Sequence, residues 1–389
     1  MIGHAPGDTT PDTTGPGLAA RLDAVADGLS GRLAAEEPGL RAEEYERDAG
    51  AVLTALKDTR ATTMLVPSDC GGRGASAADA VRFQRALGTL APSAAIASTM
   101  HHYKIAALGG VAAAGDEHAR AILTDLARGA ELVASGGAES VPGKDLRSLG
   151  SRAVRDGDDY LVTGVKRPCS LSTSMTTMSL MVELRSPEGE SEGFAQAFVP
   201  AGAPGLEREP FWRSPVFLAA ESHAVRLSGV RVPRGRVFPL RGEPGRRFAT
   251  DCYTWFQLLV AASYLGVATC LAQATAPERR AGSRGWTEAA ARLDRLEAGL
   301  LDAAHAVDRG AGAAERLNLA VRARDAVEDE VGAVGGLLLR SAGGGSFART
   351  GFFTLLAGGL HAIAFHPPQR GAREGIGLEP LDPRSKDKH

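Results

Sequence analysis

Residues 134–175 read ASGGAESVPGKDLRSLGSRAVRDGDDYLVTGVKRPCSLSTSM, and this stretch decides the fold. It opens with a loop rich in glycine and alanine and continues through two strand-like segments on either side of the turn DGDD. It ends at Cys169 and Ser170. Because small residues let a backbone approach a flat ligand closely, the stretch is either a cofactor cradle or a β-hairpin without a ligand.

The sequence is helical on both sides of this stretch. Apolar residues recur every three or four positions from 17 to 129 and again from 247 to 364, whereas the period is two between 131 and 240. The pattern predicts a multidomain α+β protein. We expect an N-terminal helical domain over 17–130, a central antiparallel β-barrel domain over 131–242 and a C-terminal four-helix bundle over 243–377, between a disordered leader at 1–16 and a polar tail at 378–389.

The composition is typical of a globular protein in water. Of 389 residues, 44% are hydrophobic and 23% are charged, and the formal net charge is −2. A nearly neutral chain offers no basic field for nucleic acid or an anionic membrane, and the longest apolar run, 258–272, is shorter than the ~20 residues of a membrane span. The four cysteines have neither metal-ligand nor disulfide spacing, so we expect no metal site and a cytoplasmic location.

Several common catalytic signatures are absent from the sequence. It contains no phosphate-binding GxxxxGK[ST] loop, no dinucleotide-binding GxGxxG motif between a strand and a helix, and neither GxSxG nor HExxH. The simplest nucleotide-binding and hydrolase interpretations are therefore excluded.

The segment order and five short motifs resemble the acyl-CoA dehydrogenase superfamily of flavoproteins, from about residue 30 to 375. MLVPSDCGGRG at 64–74 is similar to the family turn LxVPxxxGGxG, and Glu139 begins a match to the loop TExxxGSD. TGVKRPCSL at 163–171 is similar to the strand NGxKxWITN, and the segments LSGVRVPRGRVF and LGVATCLAQATAPERRAG follow in the family's order. The resemblance implies the acyl-CoA dehydrogenase fold.

The resemblance also implies a flavin cofactor, FAD, or FMN if the protein is a monooxygenase. In the family, the equivalent of Arg279 reaches the flavin of a neighbouring subunit, which implies a homodimer or homotetramer. Lys144 replaces the usual serine and still offers a positive charge to a phosphate. The positions implied to bind the cofactor are Gly137, Ala138, Gly143, Lys144, Cys169, Ser170 and Arg279.

The catalytic base of the dehydrogenases has no counterpart at either of its family positions. Dehydrogenation requires a glutamate beside the flavin, but Phe256 occupies one position and LLAGGLHAIAFHPPQRG, at 355–371, contains no Tyr-Glu pair at the other. His366, in FHPP, resembles the histidine of flavin monooxygenases with the same fold. We therefore expect His366 and Ser170 at the reaction centre, with His102 as a second donor.

Three functions remain open from the sequence. The leading one is oxidation of an acyl thioester, carried by CoA or a carrier protein, in specialised metabolism, which the dehydrogenase spacing of the loop from Glu139 to Asp145 favours. The second is hydroxylation with O2 and reduced flavin from a separate reductase, which the missing glutamate and His366 favour. The third is a catalytically degenerate scaffold without flavin. Each of these functions is consistent with a small-molecule or thioester partner, and none of them involves nucleic acid or a membrane.

Overall fold

The structure, a computed structural model, describes residues 15–33, 38–139, 149–275, 283–344, 348 and 351–371. Seven α-helices precede the sheet within these residues. Side chains cap two of them: Ser76 accepts a hydrogen bond from Asp79 N, and Asp116 accepts one from Ala119 N. The helices are α1 (Gly15–Asp23), α2 (Leu29–Arg32), α3 (Pro38–Arg47), α4 (Gly50–Asp58), α5 (Ala77–Leu90), α6 (Pro92–Ala113) and α7 (Glu117–Arg128).

Eight strands follow in the described part of the chain, and they form one mixed, open sheet. They are β1 (Val133–Gly136), β2 (Arg152–Asp156), β3 (Asp159–Cys169), β4 (Thr177–Arg185), β5 (Ser191–Pro200), β6 (Leu206–Glu209), β7 (His223–Pro233) and β8 (Val237–Pro239). Their order is β6-β7-β3-β2-β4-β5-β8, and β1 pairs with β4.

The predicted antiparallel β-barrel is wrong in two respects. The described strands do not close on themselves, and both β1 and β2 pair with β4 in parallel. A period of two predicts which segments are strands, but it does not specify the partner or the direction of each pairing. The turn at 156–159 does form the predicted hairpin between β2 and β3.

Among the residues that the structure describes, four α-helices follow the sheet. They are α8 (Gly242–Thr275), α9 (Arg284–Asp308), α10 (Ala313–Ala342) and α11 (Phe352–Leu360), and a 3-10 turn at His361–Phe365 extends the last of them. The order of helices, sheet and helices is therefore as the sequence predicts.

The helix α8 lies at the centre of the core. It packs against α5, α6, α9 and α10. At its crossing with α5 the backbones nearly touch, since a Cβ atom on Gly266 would lie 2.6 Å from Gly88 Cα. By length and composition α8 is apolar enough to cross a membrane, but its apolar stretch is completely buried inside the protein, as the core helix of a globular fold would be.

One buried ion pair joins a helix that precedes the sheet in sequence to a helix that follows it, and a second pair joins two of the later helices. Arg85 of α5 pairs with Glu297 of α9, and both side chains are buried. Asp251 of α8 lies 3.1 Å from the guanidinium of Arg316 in α10. Both helical regions thus belong to one continuous core.

Candidate functional site

The strand β1 ends where the predicted cradle begins. A Cβ atom on Gly136 would lie 2.5 Å from Met178 Cε and 3.0 Å from Lys166 Cγ, so only glycine fits there. Gly137 is exposed, and a Cβ atom on it would meet only Ser135 Oγ at 3.9 Å. The backbone after β1 is therefore open to a ligand.

The carboxylate of Glu139 clamps this segment to β3. It accepts hydrogen bonds from Gly150 N at 2.6 Å, from Ser151 Oγ at 2.7 Å and from the Lys166 ammonium at 2.6 Å. Burial acts to raise the pKa of Glu139, but the lysine and the N–H donors outweigh it and hold that pKa below its usual value. Ala138 contributes a second tie, because its carbonyl accepts from Arg167 N at 2.9 Å.

Cys169 and Ser170 lie at the end of β3, beside this clamp. Cys169 is buried, and burial raises the pKa of its thiol to about 12, so it stays protonated at neutral pH. Ser170 is partly exposed, and its hydroxyl lies 2.9 Å from that of Ser222. A hydroxyl group with one such bond retains capacity for a ligand.

His366 is held by a tyrosine that the sequence does not single out. Its Nε2 atom lies 3.0 Å from the phenol oxygen of Tyr264, which is fully buried in α8. Burial, and then the positive charge of Arg324, lowers the pKa of His366 to about 3, whereas burial raises that of Tyr264. Both groups are therefore neutral at pH 7.

The tautomer of His366 follows from the surroundings of Tyr264. Within the described residues, the bond to His366 is the one hydrogen bond of the Tyr264 hydroxyl. If the hydroxyl only accepted in this bond, its own buried O–H group would have no partner, which is energetically costly. The phenol therefore donates to Nε2, and the ring proton of His366 resides on Nδ1. His366 is partly exposed, which leaves this N–H within reach of a ligand.

Arg324 positions the backbone that carries His366. Its guanidinium is fully buried and donates to His366 O at 2.8 Å, to Ile363 O at 3.2 Å and to Gln257 Oε1 at 2.6 Å. A planar cation with several donors can hold two carbonyl groups and an amide at once. Arg324 thus joins α8, α10 and the segment that follows α11.

Phe256 occupies the space between the sheet and His366. Its ring centroid lies 5.2 Å from that of Tyr103 and 6.2 Å from that of His366. Tyr103 extends this row to β1, because its hydroxyl lies 2.6 Å from Ser135 Oγ. One wall of the site is therefore aromatic at the position where the resemblance predicts an alternative catalytic base.

Two described carboxylates on the helices that contact Phe256 and His366 are already paired with arginines. Asp251 of α8 interacts with Arg316 and Arg247, and Glu328 interacts with Arg370 at 3.8 Å. Burial raises the pKa of Asp251, while both of its arginines act to lower it. The ion pairs of Asp251 and Glu328 thus disfavour either carboxylate as the base that removes a substrate proton beside Phe256.

The two histidines of α6 have structural surroundings. His101 accepts from Val133 N at 3.0 Å and donates to Thr62 O at 2.6 Å, and burial lowers its pKa to about 4. His102 packs edge-on against Phe83 with ring centroids 5.8 Å apart, and burial lowers its pKa well below the usual value. Neither ring nitrogen of His102 has a hydrogen-bond partner among the residues described.

The sequence prediction and the structure overlap in part. The structure places Gly137 and Ala138 after β1, Cys169 and Ser170 at the end of β3, His366 beside Phe256 and Tyr264, and His102 in the core of the helices. Gly143, Lys144 and Arg279 lie outside the described residues. Tyr264, Arg324 and Tyr103 were missed, although Tyr264 directly precedes the Leu-Gly pair on which the family resemblance depends and Arg324 interrupts an apolar helix face.

These residues fit the polar edge of a flavin. The exposed backbone at Gly137 and the partly free hydroxyl of Ser170 are the kind of groups that hydrogen-bond such a ring. The aromatic row of Tyr103 and Phe256 provides an apolar face opposite the sheet.

Comparison with known proteins also indicates a flavin enzyme. Isobutylamine N-hydroxylase from Streptomyces viridifaciens is 36% identical over 339 residues, which cover 84% of this chain and 88% of that protein. Cyclohexane-1-carbonyl-CoA dehydrogenase from Geobacter metallireducens is 27% identical over 224 residues, 56% of this chain and 57% of that protein. No family model matches the chain.

A solved structure with the same fold is that of KijD3 in complex with FMN and dTDP-3-amino-2,3,6-trideoxy-4-keto-3-methyl-D-glucose. It has a TM-score of 0.74 and 20% identity, and it covers 96% of this chain and 97% of that one. The chain therefore belongs to the acyl-CoA dehydrogenase superfamily of flavin-dependent oxidoreductases, in the same family as isobutylamine N-hydroxylase.

Proposed function

We propose that the protein is a flavin-dependent monooxygenase that hydroxylates the nitrogen of a primary amine. The balanced reaction is R–NH2 + O2 + reduced flavin → R–NHOH + H2O + oxidised flavin. Support comes from the relative named isobutylamine N-hydroxylase and from the amino sugar and FMN bound in the KijD3 structure. A bound reduced flavin would supply the two electrons that reduce one oxygen atom to water.

The main support for the proposal is that His366, a neutral donor, is found where the dehydrogenases are expected to have their catalytic base. Phe256 and His366 occupy the region where the dehydrogenases of the superfamily need a carboxylate. A monooxygenase abstracts no proton from carbon, so it has no need of that base. It does need a proton for the departing water, together with a site that excludes bulk solvent.

The side chains of the site are suited to these two tasks. The Nδ1–H of His366 is a donor at neutral pH, and the other ring nitrogen, Nε2, is hydrogen-bonded to Tyr264. Arg324 holds the His366 carbonyl, which fixes the direction of the imidazole. Phe256 and Tyr103 exclude water from one side, and Ser170 would hold the polar edge of the cofactor.

The amine is attacked through its lone pair, so it has to be bound unprotonated. The imidazole of His366 is neutral and therefore provides no negative charge that would stabilise the protonated amine, an ammonium ion. The site wall described above is aromatic and offers no free carboxylate, so it lacks the usual partner of an ammonium ion.

The remaining assignments belong to this proposal. We infer FAD or FMN as the cofactor, reduced by a separate reductase, and a cytoplasmic homodimer or homotetramer. Gly143, Lys144 and Arg279 are proposed to contact the cofactor on the grounds of the family resemblance. His102 as a second donor rests on the family resemblance alone, since its ring is buried between Phe83 and His101.

A second candidate is dehydrogenation of an acyl thioester. The clamp of Glu139 on Lys166 and the similarity to cyclohexane-1-carbonyl-CoA dehydrogenase favour it. A flavin-free scaffold is the third.

One experiment separates the three. The purified protein is examined for a flavin spectrum and then mixed with acyl thioesters without oxygen, or with reduced flavin, oxygen and primary amines. We expect oxygen-dependent formation of a hydroxylamine. Anaerobic bleaching by a thioester would replace this proposal with dehydrogenation, and failure to bind either FAD or FMN would indicate a scaffold.

A further inference from the structure

Lys104 is a buried cation that lies next to the candidate site. It follows Tyr103 on α6 and is 9% exposed. Its ammonium lies 3.4 Å from Gln196 Oε1 of β5 and 3.9 Å from Cys252 Sγ of α8. It also lies 5.0 Å from the ring centroid of Tyr103 and 5.4 Å from that of Phe248. Three structural elements therefore meet around one positive charge.

No carboxylate within the described residues pairs with Lys104, whereas other buried cations have one. Lys166 is fully buried and lies 2.6 Å from Glu139, and Arg85 pairs with Glu297. A buried charge is costly unless it is paired. The difference between the two lysines therefore calls for an anion that the described residues do not provide.

The neighbours of Lys104 do not provide that negative charge. Burial raises the pKa of the Cys252 thiol to about 11, and burial also raises the pKa of the Tyr103 phenol, so both remain neutral at pH 7. Gln196 uses its amide nitrogen to donate to Ser179 Oγ at 2.7 Å and presents only its carbonyl oxygen to Lys104. The Tyr103 hydroxyl and the Cys252 thiol both interact with the ammonium, but every one of these neighbours is neutral at pH 7, so none of them balances its charge.

Lys104 also lies on the wall of the site proposed above. The Tyr103 ring beneath its ammonium packs on Phe256, which packs on His366. An anion bound to Lys104 would therefore lie at the opposite end of this aromatic row from His366.

We infer that Lys104 binds a carboxylate of the substrate, and that the substrate is an amine that also carries a carboxylate, such as an amino acid. This inference rests on the proposed N-hydroxylation and names its substrate class. A single ammonium beside an amide and a thiol matches one negative charge, which favours a carboxylate over a phosphate dianion. Lys104 forms no covalent bond and acts as a specificity-determining residue.

Valine and isobutylamine are a matched pair for the test, because they differ by one carboxylate. The flavin-loaded full chain is assayed for hydroxylamine formation as wild type, Lys104→Met and Lys104→Arg. We expect wild type to favour valine in kcat/KM, and Lys104→Met to lower kcat/KM for valine at least about tenfold while changing that for isobutylamine less than about threefold. Lys104→Arg should recover most of the preference.

Two results would overturn the inference. One is a wild type that favours isobutylamine, and the other is an equal loss for both substrates in Lys104→Met when its melting temperature and flavin binding match those of wild type.

A binding measurement separates this inference from the proposed reaction. Isovalerate and isovaleramide have the same shape, lack an amine and differ in charge. Calorimetry on the wild-type holoenzyme should show isovalerate binding at least about tenfold more tightly, and Lys104→Met should abolish the difference. If neither amine yields a hydroxylamine, the proposed reaction fails while this result still supports carboxylate binding. Equal binding of the two ligands to wild type would refute the role of Lys104 even if that variant does not fold.

Discussion

The imidazole Nε2 of His366 and the phenol oxygen of Tyr264 lie 3.0 Å apart, although 102 positions separate them in the chain. The bond joins α8, at the centre of the core, to the segment after α11. It leaves one ring N–H of a neutral histidine directed away from Tyr264. A fixed neutral donor of this kind suits oxygen chemistry better than proton abstraction from carbon.

Replacing His366 with asparagine should lower kcat for hydroxylamine formation about 100-fold, because positioned proton donors contribute at least that much. Reduced flavin should still consume oxygen, so released hydrogen peroxide should rise. Tyr264→Phe keeps the ring and removes the hydroxyl, and its loss should be smaller, about tenfold. Parallel assays of hydroxylamine and peroxide measure both effects. Unchanged coupling in His366→Asn would remove this residue from the mechanism.

Glu139→Gln should destabilise the protein by about 3 kcal/mol, because it leaves the buried Lys166 without its anion. The matched control is Asp58→Asn, which breaks an exposed pair with Arg32 and should cost less than about 1 kcal/mol. Denaturant unfolding of the three proteins tests this. Similar free energies of unfolding for both variants would show that the clamp does not stabilise the fold.

Glu46 predicts a pH dependence of stability. Burial raises the pKa of its carboxyl to about 7, against the hydrogen bonds from Ser93 N and Oγ, which act to lower it. Because the folded state binds the proton more tightly than the unfolded state, this group stabilises most below pH 4.5, and the benefit is lost as the pH rises through 7. Glu46→Gln cannot ionise, so at pH 8 it should be more stable than wild type by roughly 3 kcal/mol.

The measurement for Glu46 is urea unfolding of both proteins at pH 5 and pH 8. The two free energies of unfolding should be close at pH 5 and differ at pH 8. A constant difference at both values would contradict the raised pKa.

Gly266→Ala should destabilise the core by about 3 kcal/mol or more, since its Cβ would lie 2.4 Å from Arg85 O. Gly299→Ala in α9 is the matched control. Its Cβ would meet nothing within 4 Å, so alanine should stabilise the helix by up to about 1 kcal/mol. Thermal unfolding compares the two variants, and a Gly266→Ala protein as stable as wild type would mean that the α5–α8 crossing can relax.

The sequence predicts the local structure of this protein better than its long-range pairing. Periodicity identifies the helices and strands because each period depends on adjacent residues. The open sheet could not be predicted, since the parallel pairing of β1 and β2 with β4 depends on distant segments. Family resemblance identified the flavin and the missing base at Phe256.

The roles of the remaining site residues can be recognised only from three-dimensional contacts. Tyr264 acquires a role only because α8 places it beside His366, and Lys104 only because β5 and α8 surround it without a carboxylate. In the sequence, Arg324 is only a charged residue on an apolar helix face. Its role becomes clear from its hydrogen bonds to the carbonyl groups of Ile363 and His366.

The most direct test of the central claim is the fate of isotopically labelled oxygen. The holoenzyme is given 18O2, reduced flavin and a primary amine, and the hydroxylamine is analysed by mass spectrometry. We predict one 18O atom in each hydroxylamine formed by wild type and a strongly reduced yield in His366→Asn. Hydroxylamine without the label, or no hydroxylamine together with anaerobic flavin reduction by an acyl thioester, would contradict the assignment as a monooxygenase.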